Sequence, residues 1–414
     1  MRLLYDLGIR LYFLMIWLVS PFNRKARQWI RGRKGLLKRI RNTVDPDLPL
    51  VWFHCSSLGE FEQGRPIMEG LRKRDPDRKI LLTFYSPSGY EIRKNYQGAD
   101  FVFYLPLDTS RNAKRFLSNL NIKQAYFIKY EFWYHLLHQL KTNNIPVYLV
   151  SCTFRKEQVF FRSWGKWFRK ILNFFDHLFV QQQSSLDLME SIGIRHVSLA
   201  GDTRFDRVRA IVQGTEKDPG FTAFTGSGQV VVAGSTWPPD EALLIKYINK
   251  TDRPVKWIVA PHEIHESGIA RLSGQITKKV QRYTSLSESE LPQTEVIIVD
   301  TIGILYSLYQ YGSLAYIGGG FGKGIHNTLE AATFGLPVIF GPKYRKFQEA
   351  VELVAAGAAF PIGDYAEFDE VLSGLLGDVK KLREAGEASE AIVMANLGAT
   401  DQILDLTMGH PGSR

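Results

Sequence analysis

From residue 50 onward, short runs of apolar, β-branched and aromatic residues alternate with longer amphipathic stretches. Strands are predicted at 50–54, 80–84, 101–104, 124–128, 147–150, 177–180 and 196–199, then at 230–233, 257–260, 296–299, 314–317, 338–340 and 358–361, with helical segments between most of them. Strands that alternate with helices build parallel sheets covered on both faces. Between the two sets, 206–228 collects Gly214, Pro219, Gly220, Gly226 and Gly228 and reads as a linker. The pattern therefore predicts two similar α/β domains, 46–205 and 229–395. In such sheets ligands bind outside the carboxyl ends of the strands, and an interdomain cleft would gather the loops found there.

Residues 1–45 do not follow this alternation. The stretch 3–22 is apolar and aromatic, but Asp6 and Arg10 interrupt it and only 11–19 is continuous, short of the ~20 apolar residues a spanning helix needs. No small-residue cleavage site follows, which argues against a secretory signal. Nine cations then stand between Arg24 and Arg41, a cluster suited to an anionic membrane surface. The reading is a monotopic anchor; a single spanning helix and a first helix packed on its own domain are the alternatives.

Composition narrows the partners. The 414-residue chain carries a formal charge of +10, which favours acidic ones: nucleic acid, anionic lipid or a phosphorylated small molecule. Its two cysteines, Cys55 and Cys152, lie far apart without metal-ligand spacing, so neither a disulfide framework nor a zinc site is implied. The chain reads as cytosolic or facing the cytosol. Residues 154–175 interleave Arg155, Lys156, Arg162, Lys166, Arg169 and Lys170 with eight aromatics. A basic amphipathic helix at a lipid surface or on a phosphorylated lipid is the favoured reading. Core packing with a solvated basic face and single-stranded nucleic acid are the others, and no nucleic-acid fold motif supports the last.

The chemistry-bearing stretches all follow strands. The first strand ends in His54-Cys55-Ser56-Ser57-Leu58-Gly59-Glu60, which puts Glu60 at the strand's carboxyl edge, either as a general base for a hydroxyl or as a first-turn acid favouring the helix dipole. Ser56 and Ser57 either cap that helix or touch a phosphate. Tyr85-Ser86-Pro87-Ser88-Gly89 repeats the design after the second strand. After the fourth, Glu131 sits among aromatics in Lys129-Tyr130-Glu131-Phe132-Trp133, ordering substrate hydroxyls or pairing with a cation. In the second half, Gly234-Ser235-Thr236 offers hydroxyls for phosphate or a plain cap ahead of Pro238. Pro261 and His262 follow the next strand. His262, Glu263, His265 and Glu266 lack an evident third ligand at metal spacing, so no metal is assigned.

The glycine-rich stretch 317–342 runs strand, loop, helix, strand. Gly318, Gly319 and Gly320 let backbone N–H groups approach an anion, or simply permit a tight turn. A helix is expected to open near Asn327 and close at Gly335, with Asn327 and Glu330 on adjacent positions of one face. A carboxylate there could accept from the two hydroxyls of a ribose.

Taken together, Ser57-Leu58-Gly59-Glu60, Tyr130-Glu131-Phe132-Trp133, Ala233-Gly234-Ser235-Thr236, Ala260-Pro261-His262 and His326-Asn327-Thr328-Leu329-Glu330, with the apolar N-terminus and its basic flank, resemble the 3-deoxy-D-manno-octulosonic acid (Kdo) transferase family over nearly the whole chain. The resemblance implies a GT-B fold, α/β with two Rossmann-like domains facing across a cleft, plus an N-terminal membrane-associating helix and a C-terminal segment, 396–414, packing back on the first domain. It implies CMP-Kdo in the second domain and the lipid A precursor in the first, at the cytoplasmic face of the bacterial inner membrane, with no nucleic acid and no cofactor. Glu60 would be the catalytic base and Glu131 a second essential acid. Ser235, Thr236, Pro261, His262, Gly319, Gly320, Asn327 and Glu330 would hold the donor; Ser56, Ser57, Gly59, Tyr85 and Ser86 would meet the acceptor. Many members carry Arg after that Pro, where this chain has His262, a weaker and pH-dependent substitute.

Overall fold

The computed structural model describes residues 1–214 and 216–408; residue 215 of the predicted linker and residues 409–414 of the predicted C-terminal segment lie outside the described residues. The chain divides into two compact units, Met1–Arg207 with Leu397–Arg414, and Val208–Asn396.

In the first unit seven parallel strands form one sheet: β1 (Pro49–Cys55), β2 (Lys79–Phe84), β3 (Phe101–Tyr104), β4 (Asn121–Ile128), β5 (Val147–Cys152), β6 (His177–Val180) and β7 (Val197–Leu199), in the order β3-β2-β1-β4-β5-β6-β7. Side chains alternate across a strand, so β1 serves two cores. Leu50 and Trp52 enter one, and Val51, Phe53 and Cys55 enter the other. Burial on both faces is why these strands read as unbroken apolar runs.

The second unit repeats the plan with β8 (Gln229–Thr236), β9 (Val255–Pro261), β10 (Val280–Arg282), β11 (Val296–Ile298), β12 (Leu314–Ile317), β13 (Val338–Phe340) and β14 (Ala359–Pro361), in the order β10-β11-β9-β8-β12-β13-β14. In both sheets the strand order reverses once near the middle, between β1 and β4 and between β8 and β12. Such a switch point splays the adjoining loops and opens a crevice at the carboxyl edge.

Four segments differ from the sequence expectation. Strand β10 is an addition at the sheet edge, paired only with β11. The 206–228 interval is largely helical, with Arg204–Gln213 and Pro219–Thr225. The helix expected over 327–335 is a single turn, Leu329–Ala332. The 154–175 stretch is no continuous amphipathic helix: it folds as two 3-10 turns, Val159–Phe161 and Ser163–Gly165, and a short helix, Lys166–Leu172. Phe160, Ile171, Leu172 and Phe175 are buried in the first core, whereas Arg155, Lys156, Arg162, Lys166 and Lys170 are exposed.

The N-terminal helix α1 (Arg2–Val19) has no buried residue. One side is tied to the first unit, where the Tyr5 hydroxyl donates to Asp108 at 2.5 Å and His135 pairs with Asp6. The other side exposes Leu3, Leu4, Leu7, Leu11, Met15 and Leu18, and Phe22 just beyond the helix is 92% exposed. Among the described residues no helix is long and apolar enough to cross a membrane, so the spanning alternative for α1 is set aside. At the other end, the helix Ala399–Met408 lies on Leu58–Arg74, where a side chain in place of Gly70 would strike Leu404. Arg74 binds Asp401 and Asp405 across that contact, and the Tyr126 hydroxyl donates to Thr407 at 2.6 Å.

Candidate functional site

The first cluster forms at the β1/β4 switch point. Chain leaving β1 turns at Ser56 and enters the helix Leu58–Arg74 with Glu60 in its first turn. The Glu60 carboxylate reaches back to accept from the backbone N–H groups of Ser56 and Ser57. The first-turn position is what fixes the carboxylate at the sheet edge. Burial and then the negative charge of Glu131 push its pKa up to about 8, against the opposing pull of the Ser56 and Ser57 N–H groups and Lys129. Gly59 is exposed, and a Cβ there would meet nothing within 4 Å, so the space beside Glu60 is open.

Glu131, on the loop after β4, is 5% exposed. It accepts from Trp133 Nε1 at 2.5 Å and from His54 Nε2 at 2.8 Å. The His54 proton on Nε2 leaves Nδ1 to accept from the Thr83 hydroxyl at 2.9 Å. One partner of Glu131 is the buried strand residue His54. His54, Thr83 and Trp133 form a supporting shell that sequence reasoning gave no role. The available signal was His54 itself, a polar residue in an otherwise apolar strand.

The acceptor-side candidates from β2 are engaged in structure. Tyr85 stacks on Trp133 with ring centroids 4.5 Å apart and lies edge-on to Trp29 at 5.6 Å, while Arg33 donates to its carbonyl at 2.8 Å. Ser86 caps the helix Pro87–Arg93, its hydroxyl accepting from the Ser88 N–H and bonding the Ser88 hydroxyl at 2.8 Å. Its N–H donates to Ser56 O at 2.7 Å, which ties the β1 and β2 exits together.

The second cluster forms at the β8/β12 switch point. Asp240, fully buried in the helix Pro238–Lys250, accepts from Gly319 N–H at 2.9 Å, Trp237 N–H at 2.9 Å and the Tyr316 hydroxyl at 2.8 Å. The Gly319 N–H is thus committed to a carboxylate and is not presented to an anion, contrary to the sequence expectation. Gly318 is required for another reason: a Cβ there would lie 2.2 Å from the carbonyl oxygen of Ser235. Gly320 packs equally closely on Gly341. Ser235 itself takes a left-handed backbone, φ 54°, which lifts it out of the strand line. Thr236 is buried and its hydroxyl points to Glu241, which pairs with Arg271; it supports the loop from within.

Asn327 and Glu330 do come together, Nδ2 donating to Oε1 at 3.0 Å, while Asn327 Oδ1 accepts from Leu329 N–H at 3.1 Å. Asn327 therefore closes off part of the short helix's N-terminus, and the dipole argument for anion binding there lapses. Pro261 ends β9 opposite Thr236. His262 packs against two rings that also touch each other, its centroid 4.6 Å from Trp237 and 4.3 Å from His326. Trp237 Nε1 donates to His326 Nε2 at 3.0 Å, and burial, followed by the neighbouring His262, brings the His326 pKa down to about 4. His326 is neutral at physiological pH. The sequence marked neither Trp237 nor Asp240 as part of this site. Among the described residues no cluster of three or more His, Cys, Asp or Glu could hold a metal.

The family model described as 3-Deoxy-D-manno-octulosonic-acid transferase (kdotransferase) matches residues 28–207, the interval that holds Glu60 and Glu131. Over most of its length the chain is similar to curated Kdo transferases. A 3-deoxy-D-manno-octulosonic acid transferase of Aquifex aeolicus is 29% identical over 350 residues, 82% of this chain and 90% of the relative. Another from Haemophilus influenzae is 24% identical over 406 residues, 94% of this chain and 93% of the relative. Among solved structures, UDP-GlcNAc 2-epimerase from Neisseria meningitidis, bound to UDP-GlcNAc, superposes with a TM-score of 0.61 at 14% identity, over 87% of this chain and 99% of that one; the likeness is one of fold.

The Glu60–Glu131 coupling makes a measurable prediction. Glu131→Gln removes the charge that raises Glu60, so the Glu60 pKa should fall by about one unit or more. The acid limb of the rate profile should move to lower pH while the plateau rate drops. A limb that stays in place would show that burial alone sets Glu60.

Proposed function

We propose that the protein moves Kdo from CMP-Kdo to a hydroxyl of the lipid A precursor lipid IVA, in lipopolysaccharide inner-core biosynthesis at the cytoplasmic face of the bacterial inner membrane. The observation that carries this reading is Glu60, a carboxylate fixed by two backbone N–H groups at the sheet edge with a pKa of about 8. A base in that range is matched to taking a hydroxyl proton near neutral pH. In one inverting displacement the acceptor oxygen bonds the anomeric carbon as the bond from that carbon to the phosphate oxygen breaks. The hydroxyl proton passes to Glu60, and CMP leaves with the bonding pair. Glu131, which accepts from Trp133 and His54, adds negative potential that favours an oxocarbenium-like transition state.

In the second unit, Ser235 and Asn327 would meet the phosphate and Glu330 the ribose, with Pro261, His262 and Gly320 completing the donor site on the frame that Asp240 holds. A sugar activated as a cytidylate carries its own leaving group, so no cofactor is called for. The outward face of α1 and the cations of 24–41 would rest on anionic lipid. Replacing Leu7 and Met15 together by Lys should cut co-sedimentation with phosphatidylglycerol vesicles at least fivefold; undiminished sedimentation would remove α1 from membrane contact.

The activity test uses purified protein, CMP-Kdo and lipid IVA. Transfer adds the mass of Kdo to the lipid and releases CMP only when acceptor is present. An epimerised nucleotide sugar, or CMP release that ignores the acceptor, would overturn the reading in favour of the epimerase chemistry of the fold relative.

A further inference from the structure

We infer that one acyl chain of the acceptor is held in an aromatic cavity beside Glu131, with the cations on its rim meeting the acceptor's phosphate; this rests on the lipid-acceptor reading above. The cavity holds about 330 Å³ and is walled by Tyr5 of α1, Tyr130 and Phe132 from the loop after β4, and Val159, Phe160 and Phe168 from the basic-aromatic segment. Tyr130 and Phe132 are the chain neighbours of Glu131, so a guest here lies against the loop that carries that acid. Phe132 packs edge-on to Phe160 at 4.9 Å, which fixes the inner wall.

Two of the three polar side chains of the wall have their hydroxyls engaged, and the third, Gln158, accepts from the Arg155 N–H at 3.1 Å through Oε1. The Tyr5 hydroxyl bonds Asp108 and the Tyr130 hydroxyl bonds Thr153. A cavity so lined offers water few partners and suits a hydrocarbon guest. What lies around it selects the kind of hydrocarbon. Arg155, Lys156, Arg162, Lys166 and Lys170 are all exposed on the same segment, with Glu157 the acid among them. That surplus of positive charge matches an amphiphile with an anionic head and does nothing for a neutral one. Two rings of 154–175, Phe160 and Phe168, wall the cavity.

The cavity is filled by Val159→Trp, at a half-buried position in a 3-10 turn. Activity is compared on the acylated glucosamine disaccharide phosphate and on the same disaccharide stripped of its acyl chains. The ratio of kcat/KM for the two acceptors should fall about tenfold in the variant; a ratio equal to that of the unaltered protein overturns the inference. Kdo transfer to neither acceptor by the unaltered protein would instead sink the functional reading. A measurement that does not depend on the variant's folding uses the unaltered protein and an acceptor with a photoactivatable diazirine at the end of an acyl chain. Label within residues 158–171 that persists in excess phosphatidylglycerol vesicles is expected. Label confined to α1, or displaced by the vesicles, would assign the cavity to no acceptor chain.

Discussion

Glu60→Gln is expected to lower kcat/KM for transfer at least about a thousandfold while leaving the dissociation constant for CMP unchanged, because the amide still accepts from the Ser56 and Ser57 N–H groups but cannot take a proton. In the unaltered protein, kcat/KM should climb with pH and level off above about 8, where Glu60 is ionised. The same substitution has an opposite effect on stability. The folded-state pKa of Glu60 lies above the ~4.3 of a free glutamate, so its contribution is full below that value and is lost as pH rises through about 8. Gln stands in for the protonated acid at every pH. The variant should therefore match the unaltered protein near pH 4 and exceed it at pH 9, by on the order of 5 kcal/mol from about 1.4 kcal/mol per unit. Urea melts at the two pH values decide the matter. Full activity in the variant removes Glu60 as the base, and a variant no more stable at pH 9 removes burial as the cause of its raised pKa.

The same contrast shows what the sequence could convey. Strands such as β1 and β5 were legible because burial on both faces leaves them almost wholly apolar, His54 and Ser151 aside. Strand β10 was not: it is three residues long, includes the polar Gln281 and has one neighbour, so nothing forces it to look like a strand. The turn Leu329–Ala332 carries helix-forming residues, and pattern alone extended it to Gly335. At the site, Glu60 and Glu131 could be picked out as acids at strand exits. Their surroundings could not, because His54 and Glu131 are 77 residues apart in the chain and Asp240 and Gly319 are 79. Contacts across such separations are settled by the sheet order, which places β1 beside β4 and β8 beside β12, and single-chain periodicity does not encode that order.

Asp240→Ala should be the most damaging single change in the second unit. One buried carboxylate takes three donors, the N–H groups of Trp237 and Gly319 and the hydroxyl of Tyr316, and alanine leaves all three in an apolar interior. At about 1–3 kcal/mol for each stranded donor, the loss should be about 3–9 kcal/mol, enough to unfold a marginal domain. Tyr316→Phe removes one donor together with its need, keeps both N–H bonds and should cost about 1 kcal/mol. The pair separates two explanations of lost CMP binding. If Asp240 acts by holding Ser235, Trp237 and the glycine loop in register, Tyr316→Phe retains CMP affinity, and Asp240→Ala loses it at least tenfold even at low temperature, where the fold survives. If CMP affinity instead survives in folded Asp240→Ala, the donor-site geometry does not depend on this carboxylate, and the glycine loop owes its shape to the close packing of Gly318 on Ser235 and Gly320 on Gly341 alone.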